Sequence, residues 1–268
     1  MRKKTVKRIV VFLLMFCLLG GTIPSDLFSV QVSAETKAST VKNGWKKESS
    51  GWCYYVKGKK LKNTWKTINK KKYYFGSDGA RKTGWYTLKV GTSYKSCYFD
   101  TRGVYKKSKS IDGTLVKRMD KIIKSQKITS KTKDSVALKS LFEYVRKNGG
   151  YQRVMGFQGQ SGWEYDFAKQ MLETNQGSCY HYAAAFAFLA KRATGLPVRI
   201  CWGTSNAFNT ARWQPHAWVE IKIGKVWYTY DANAAKYSSL RKGKWYHQKR
   251  SAMEGKIYKT VKYVEVKL

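Results

Sequence analysis

The pattern of apolar and polar positions changes several times along the chain, and the first change comes near its start. Five basic residues precede an unbroken apolar run from Ile9 to Leu19, and the small-x-small pattern Val32-Ser33-Ala34 follows. This order is typical of a secretory signal peptide that is cleaved after Ala34. The run of eleven apolar residues is well short of the roughly 20 that span a bilayer. Residues 1–34 are therefore predicted to be a signal peptide, with no stable membrane anchor after its cleavage.

The next segment, residues 43–107, combines aromatic and basic positions with a regular period. Tryptophans recur every twenty residues, at Trp45, Trp65 and Trp85, and each is followed by an aromatic cluster and then by a glycine. The clusters are Tyr54-Tyr55, Tyr73-Tyr74-Phe75 and Tyr98-Phe99, and the glycines are Gly58, Gly79 and Gly103. This period predicts one β-hairpin per repeat. The hairpins must stack as a small solenoid, because a single hairpin cannot bury its aromatic face.

From Leu115 onward the apolar spacing becomes helical. It predicts two amphipathic helices before Gly149-Gly150 and a short helix near residues 167–172. An Ala- and Phe-rich helix then begins at Cys179, and β-type runs predict strands at 198–201, 216–222 and 226–231. The last two read as an antiparallel pair. Residues 112–268 are thus predicted to form one α+β domain.

Composition and charge limit where such a protein acts and what it binds. The 268 residues include 53 Lys and Arg against 16 Asp and Glu, a formal net charge of +37, and 15% of the residues are aromatic. So many aromatics argue against a disordered polycation. Only five of the basic residues lie within 1–34, so the charge belongs to the exported part. The expected partner is an anionic cell-wall polymer, such as the teichoic acid of a Gram-positive wall, rather than nucleic acid. The protein is expected to be secreted and to stay at the cell wall.

The candidate chemistry centres on one cysteine, one histidine and one aspartate. Cys179 lies at the predicted start of a helix, where free backbone N–H groups and the helix dipole favour a thiolate. His216 begins one strand of the predicted pair and Asp231 ends the other, so their side chains come within hydrogen-bonding reach. Together they predict a thiol nucleophile with a histidine base and an orienting carboxylate.

Other reactive side chains have simpler interpretations. A zinc site would need Cys179 and His181 to face one ion, but residues two apart on a helix point to different sides. Cys201 lies on an apolar strand and is interpreted as a small buried hydrophobe. His181 and His247 are interpreted as surface or supporting residues. No metal site and no cofactor are predicted.

Residues 43–107 resemble the cell-wall-binding repeats of Gram-positive surface proteins, of the choline-binding and glucan-binding type, in which Gly-Trp, an aromatic pair and a glycine recur. The resemblance implies that the aromatics hold a wall ligand, which is choline, another teichoic acid substituent or a glycan. The aromatics expected to contact it are Trp45, Tyr54, Tyr55, Trp65, Tyr73, Tyr74, Trp85, Tyr98 and Phe99. The alternative is that these rings only fill the hairpin core. Cys53 and Cys97 occupy equivalent positions in copies one and three, and whether they form a disulfide stays open.

About residues 135–235 resemble the transglutaminase-like superfamily, which is related to the papain-type thiol enzymes. The matching blocks, in order, are Gly177-x-Cys179, Gly195-x-Pro197-x-Arg199, His216-Ala217-Trp218-Val219-Glu220, and Trp227 with Asp231. The resemblance implies a transglutaminase-like (papain-like) core with Cys179 as the nucleophile, His216 as the general base and acid, and Asp231 as the orienter of His216. The backbone N–H of Cys179 is one expected oxyanion donor. The second is left open among Tyr151, Gln158, Gln160 and Gln176, with Tyr151 preferred because an aromatic donor serves in some relatives.

These features predict a secreted, cell-wall-associated thiol enzyme that acts on amide bonds of peptides or proteins. Peptidase or amidase activity is favoured over isopeptide cross-linking, since wall peptides are the amides at hand. Hydrolysis and transamidation share one thioester intermediate and are not distinguished. The alternative function is a non-catalytic wall-binding or adhesion protein with an inert transglutaminase-like domain.

Overall fold

The computed structural model describes residues 43–268, so the predicted signal peptide lies outside the described residues. The first part consists of short strands in three small antiparallel sheets, ordered β1-β2-β3, β4-β5 and β6-β7-β8. The strands are β1 (Gly44–Glu48), β2 (Gly51–Val56), β3 (Lys59–Lys60), β4 (Thr64–Ile68), β5 (Lys71–Phe75), β6 (Gly84–Val90), β7 (Ser93–Phe99) and β8 (Tyr105–Ser110). Each predicted repeat therefore contains one hairpin, and the first and third sheets carry an added strand, β3 and β8. In the β4–β5 turn, Asn69 and Lys70 both have positive φ, the geometry that matches the twist of paired strands.

The hairpins bury their aromatic faces against one another. Trp45 of the first hairpin packs edge-on against Tyr73 of the second, with ring centroids 5.1 Å apart. Trp65 of the second contacts Phe99 and Tyr105 of the third repeat at 5.5 Å. Such ring pairs contribute about 0.5–1.5 kcal/mol each beyond the area they bury. Stacking therefore supplies the core that one hairpin lacks.

The second part contains helices around a mixed set of strands. The helices are α1 (Gly113–Ser125), α2 (Asp134–Asn148), α3 (Trp163–Thr174), α4 (Cys179–Thr194), α5 (Ala232–Tyr237) and α6 (Arg250–Met253). The strands are β9 (Gly150–Tyr151), β10 (Gln176–Gly177), β11 (Val198–Ser205), β12 (Gln214–Ile223), β13 (Val226–Tyr230), β14 (Gln248–Lys249) and β15 (Tyr258–Glu265). Five of them form the antiparallel sheet β14-β13-β12-β11-β15, and β9 pairs with β10 in parallel. The predicted α+β class is confirmed.

Helix α4 lies at the centre of this second part. Every residue from Cys179 to Lys191 is buried, because the helix packs between α2 and α3 on one side and β11 and β12 on the other. A helix that is apolar nearly all round has to be enclosed in this way. Gly195 ends it with a φ of 72°, the left-handed conformation that glycine adopts without strain.

Polar contacts attach the third hairpin to this core. Arg192, near the end of α4, donates to the Thr87 carbonyl at 2.9 Å and to both carboxylate oxygens of Asp120 at 2.8 and 3.0 Å. Ser96 Oγ donates to the Lys267 carbonyl at 2.8 Å. The hairpins and the α/β core thus belong to one compact unit. The division into repeats at 43–107 and a domain at 112–268 stays a prediction.

The cysteines of the described residues are all free and buried. Cys53 lies on β2 and Cys97 on β7, in two different sheets, and the structure holds them as separate thiols. Within the described part of the chain, no helix combines the length and apolar character needed to cross a bilayer.

Candidate active site

Cys179, the nucleophile predicted from the sequence, is the first residue of α4, and the preceding turn sets its position. Ser178 is the N-cap residue, in an extended conformation. Gly177 has to be a glycine, because a Cβ there would lie 2.4 Å from Cβ and Cγ of His181. The first backbone N–H groups of a helix have no partner within the helix. They therefore offer hydrogen-bond donors beside the Cys179 thiol, a side chain that is buried but lines an open cleft.

His181 closes this turn from inside the helix. The Ser178 N–H donates to His181 Nδ1 at 3.3 Å, so Nε2 carries the proton and donates to Gln170 Oε1 at 3.1 Å. The imidazole stacks on Phe167 with centroids 3.9 Å apart. Burial disfavours the imidazolium and lowers the pKa of His181 to about 4. The residue is thus a buried supporting group that caps α4, and not a surface residue.

Strands β12 and β13 bring His216 and Asp231 together. Their register pairs Val219 with Tyr230, which makes the start of β12 a neighbour of the residue that follows β13. His216 Nε2 lies 2.7 Å from Asp231 Oδ2, and both side chains are buried. Nδ1 is then the nitrogen that remains for Cys179, which lines the same cleft as His216. The structure therefore brings the three predicted residues into one site.

The electrostatics of this site favour a charged imidazole. Burial acts to lower the pKa of His216, but Asp231, through its charge and its hydrogen bond, and Cys179 beside the ring outweigh burial and raise the pKa to about 10. An imidazole with that pKa keeps its proton at neutral pH. This is the charge state that a thiol nucleophile with a histidine partner uses.

Asp231 is held by three donors. Its Oδ2 accepts from His216 Nε2 and from the Tyr258 hydroxyl at 2.8 Å. Its Oδ1 accepts from the Ala234 N–H at 2.8 Å, which makes Asp231 the N-cap of α5. One carboxylate thus ends a strand, begins a helix and orients His216.

Sequence reasoning missed Tyr258 and assigned no role to the C-terminal stretch. Tyr258 lies on β15, opposite Ser205 of β11, and its buried ring stacks on Trp218 with centroids 4.4 Å apart. Burial, and then Asp231, raise the pKa of Tyr258 well above its usual range, so the hydroxyl stays a donor. No periodic pattern in the sequence links Tyr258 to Asp231, because the two residues are 27 positions apart.

A cleft of about 350 Å³ opens over Cys179 and His216. Tyr151 lines it with half of its surface exposed, and the pKa of Tyr151 is raised by burial and then by the charge of Cys179. Asn233 lines it too, in the first turn of α5, and sequence reasoning missed this residue. Asn233 is only 2% exposed, and its Nδ2 has no hydrogen-bond partner among residues 43–268. Its place two residues after Asp231 was a signal that could have found it. The other donor candidates, Gln158, Gln160 and Gln176, do not line this cleft.

The predicted ligand-binding aromatics divide into rings that are buried and rings that are partly open. Tyr73 and Phe99 are 8% and 0% exposed, so they fill the hairpin core as the alternative interpretation expects. Tyr55 donates its hydroxyl to Glu48. The remaining rings form one pair in each hairpin, with centroids 5.2 to 5.4 Å apart: Trp45 with Tyr54, Trp65 with Tyr74, and Trp85 with Tyr98.

Positive side chains of the protein itself cover two of these tryptophans. The Lys72 ammonium lies 4.7 Å from the centroid of Trp65, and the Arg81 guanidinium lies 5.6 Å from that of Trp45. Trp85 instead lines an open cleft. Among residues 43–268, no three His, Cys, Asp or Glu side chains are gathered closely enough to hold a metal ion.

A buried helix that begins with a cysteine, packed on an antiparallel sheet that carries a histidine and an aspartate, is the arrangement of the papain-like thiol-enzyme fold. Residues 123–232 match the family model of the transglutaminase-like superfamily. Residues 63–80 match the model of a cell wall binding repeat of the choline-binding type. Both resemblances indicated by the sequence are confirmed.

Several solved structures are similar to this chain at low sequence identity. The modular Cpl-1 endolysin, solved with a peptidoglycan analogue, is 16% identical over 72% of this chain and 30% of its own, with a TM-score of 0.21. A TGase is 14% identical over 59% of this chain and 44% of its own, with a TM-score of 0.34. The autolysin LytC from Streptococcus pneumoniae is 17% identical over 26% of this chain and 20% of its own, with a TM-score of 0.16. The chain thus spans less than a third of the length of the endolysin. No curated protein matches the chain.

Proposed function

We propose that this protein is a secreted, cell-wall-associated thiol enzyme that acts on amide bonds, with Cys179 as nucleophile, His216 as general base and acid, and Asp231 as orienter. One observation carries the proposal. The imidazole of His216 is buried between the Asp231 carboxylate, at 2.7 Å, and the Cys179 thiol, at the start of a helix and beside an open cleft. A histidine that served only the fold would not need to line an open cleft together with a thiol at the start of a helix.

The first half of the reaction forms a thioester. Cys179 attacks as the thiolate, with its proton already held on His216 Nδ1, and the sulfur bonds to the carbonyl carbon of the substrate amide while the carbonyl electrons move to oxygen. When this oxyanion collapses, the C–N bond breaks, and His216 returns the proton to the leaving nitrogen. Asp231 keeps the proton of His216 on Nε2 through their hydrogen bond.

The second half releases the acyl group. Water or an amine enters the cleft, gives a proton to His216, and forms a new bond to the thioester carbon. The C–S bond breaks, the sulfur leaves as the thiolate, and His216 keeps the proton. The backbone N–H at the start of α4 is the first oxyanion donor, and Tyr151, at the rim of the cleft, is the second. We favour water as the acceptor, and therefore peptidase or amidase activity.

The repeats and the net charge support the proposed location at the cell wall. A cell wall binding repeat and a net charge of +37 favour attachment to an anionic wall polymer. Peptides linked to that polymer would then be held near Cys179. Wall peptides and surface proteins are accordingly the proposed amide substrates.

Alkylation kinetics test the nucleophile without a known substrate. The rate for each thiol is measured by mass spectrometry between pH 5 and pH 9, with buried Cys201 as the internal control and with His216→Ala as the matched variant. We expect Cys179 to react fastest at pH 6 and to lose this advantage in His216→Ala. A Cys179 that is unreactive in the folded, reduced protein, together with retained wall binding, would support the non-catalytic adhesion function instead.

A substrate assay then separates the two acceptors. Peptide-bearing wall fragments are incubated with the enzyme in the presence and absence of a primary amine. Hydrolysis gives free acid products under both conditions, whereas transamidation gives products that carry the added amine. Products that consist mainly of amine adducts would contradict our preference for hydrolysis.

A further inference from the structure

The three repeat tryptophans have different surroundings. Trp45 is closed by Tyr73 and Phe75 of the next hairpin, at 5.1 and 5.7 Å, and the Arg81 guanidinium lies over its ring. The space around Trp45 is therefore partly filled by the next hairpin and by the chain's own cation.

Trp65 has the same kind of surroundings. Phe99 and Tyr105 of the third repeat pack against it at 5.5 Å, and the Lys72 ammonium lies within cation–π distance of Trp65 and Tyr105, at 4.7 and 5.8 Å. In both positions the next hairpin supplies aromatic rings and the chain supplies a cation.

Trp85 lacks both. Within residues 43–268, its one aromatic ring partner is Tyr98 of the same hairpin, and no cation lies over its ring. No fourth hairpin follows, since the chain enters α1 after β8. The α/β core takes the place of that hairpin, and a cleft of about 850 Å³ separates the Trp85–Tyr98 pair from Pro197 and Trp227. Trp85, Tyr98 and Trp227 thus line a space large enough for several sugar rings, and the Arg199 guanidinium lies 4.2 Å from the centroid of Trp227.

The charged side chains that line this cleft favour one class of ligand over another. Lys107 and Lys267 line it, both are exposed, and neither forms an ion pair in the described part of the chain. Lys191 also lines it, but its ammonium donates to the carbonyls of Gly195 and Leu196. Glu265 is the one carboxylate in the lining. An excess of positive charge disfavours a cation such as choline and favours a ligand with anionic groups.

We propose that this cleft binds a segment of wall glycan that carries carboxylates. Its sugar rings pack on Trp85 and Trp227, and its carboxylates pair with Lys107 and Lys267. A polyol phosphate chain, which has no ring, would leave both tryptophans uncovered. The inference rests on the proposed function in that the cell wall is the source of the glycan, but it concerns a site separate from Cys179.

Binding measurements test this proposal. The main probe is a peptide-free tetrasaccharide of alternating N-acetylglucosamine and N-acetylmuramic acid, and the comparison probes are neutral chitotetraose, poly(glycerol phosphate) and choline chloride. Titration calorimetry is performed with the purified chain and with Trp227→Ala, Lys107→Gln and Trp52→Ala. Trp52 is the matched control, because it is an exposed tryptophan of the first hairpin that does not line the cleft.

We expect the acidic tetrasaccharide to bind more tightly than the other three probes. Trp227→Ala should weaken this binding by about tenfold, equivalent to about 1.4 kcal/mol, and Trp52→Ala should leave it unchanged. Lys107→Gln should weaken binding of the acidic tetrasaccharide but not of chitotetraose. Exposed Lys107 is a second, independent probe, because Trp227 also stacks on the Arg199 guanidinium at 4.2 Å and its loss could affect folding, which a thermal melt detects.

Three results would overturn the inference. They are wild-type affinity in both Trp227→Ala and Lys107→Gln, tighter binding of choline than of the acidic glycan, and equal binding of poly(glycerol phosphate). The same titration in Cys179→Ala separates this inference from the enzyme proposal. Glycan binding there should equal that of the wild type, whereas the alkylation experiment tests the thiol alone.

Discussion

Acidification is expected to destabilise the protein through one buried histidine, His181. Its side chain is 1% exposed, and its Nδ1 accepts a hydrogen bond from the Ser178 N–H. Protonation places a charge in this buried site, and burial disfavours that charge. The pKa of His181 is accordingly lowered from an ordinary value of 6.5 to about 4. The unfolded chain therefore takes up this proton at a higher pH than the folded protein.

The size of the effect follows from the two pKa values. Because the folded pKa is the lower one, the contribution to stability is present above pH 6.5 and is lost as the pH falls toward 4. At about 1.36 kcal/mol per pKa unit, the complete loss is about 3 kcal/mol, of which about 2 kcal/mol falls between pH 7 and pH 5. His216 acts with the opposite sign. Its folded pKa is raised to about 10, so its contribution is present below pH 6.5 and is lost as the pH rises toward 10.

Urea unfolding at pH 7, 6 and 5 measures this loss in the wild type, in His181→Gln and in His247→Gln. Glutamine at this position of a helix can accept the same N–H but does not titrate. His181→Gln should therefore lack about 2 kcal/mol of the acid-induced loss. His247→Gln, which removes an exposed histidine, should retain most of it. The contribution of His216 is common to all three proteins and cancels. An identical pH dependence in the wild type and His181→Gln would refute the reasoning.

Three further predictions concern residues around the site. Tyr258→Phe removes one donor from the Asp231 carboxylate and should lower the free energy of unfolding, measured by urea unfolding, by about 1.5–3 kcal/mol. Unchanged stability would contradict the hydrogen bond between Tyr258 and Asp231. Tyr151→Phe removes the hydroxyl proposed as the second oxyanion donor from a half-exposed side chain, so thermal stability should change little while turnover of a peptide substrate falls by about tenfold or more; unchanged turnover would exclude Tyr151 as that donor. Gly177→Ala should destabilise by about 1–3 kcal/mol, because its Cβ would meet His181 at 2.4 Å, and a wild-type melting temperature would argue against that close contact.

The parts of the fold that the sequence predicts are those with short-range signals. The twenty-residue period of the tryptophans shows directly in the chain and becomes three hairpins. His216 and Asp231 flank one tight antiparallel pair, so their separation of 15 residues along the chain translates into contact. The position of the Cys179 thiol depends only on where a helix begins, and Gly177 and Ser178 indicate that point in the sequence. Local pattern and tertiary structure agree in each of these cases.

The parts that the sequence does not predict depend on packing between distant segments. Tyr258 reaches Asp231 only because β15 lies beside β11. The burial of His181 depends on Phe167 and Gln170 of a different helix. An exposed and a buried histidine look alike in a sequence. The cations over Trp45 and Trp65 were likewise invisible, because a lysine-rich chain gives no sign of which lysine lies over a ring.

Helix α4 also sets the distance between the two sites. It begins at Cys179 and ends at Thr194, a residue of the second cleft, and at 1.5 Å per residue these ends are about 22 Å apart. No small molecule can occupy both sites, so glycan bound at one end would not compete with peptide at the other. Cleavage would leave the glycan contact intact, and the enzyme would meet the next peptide on the same strand at a high effective concentration. Such an enzyme would act repeatedly on one strand before it dissociates.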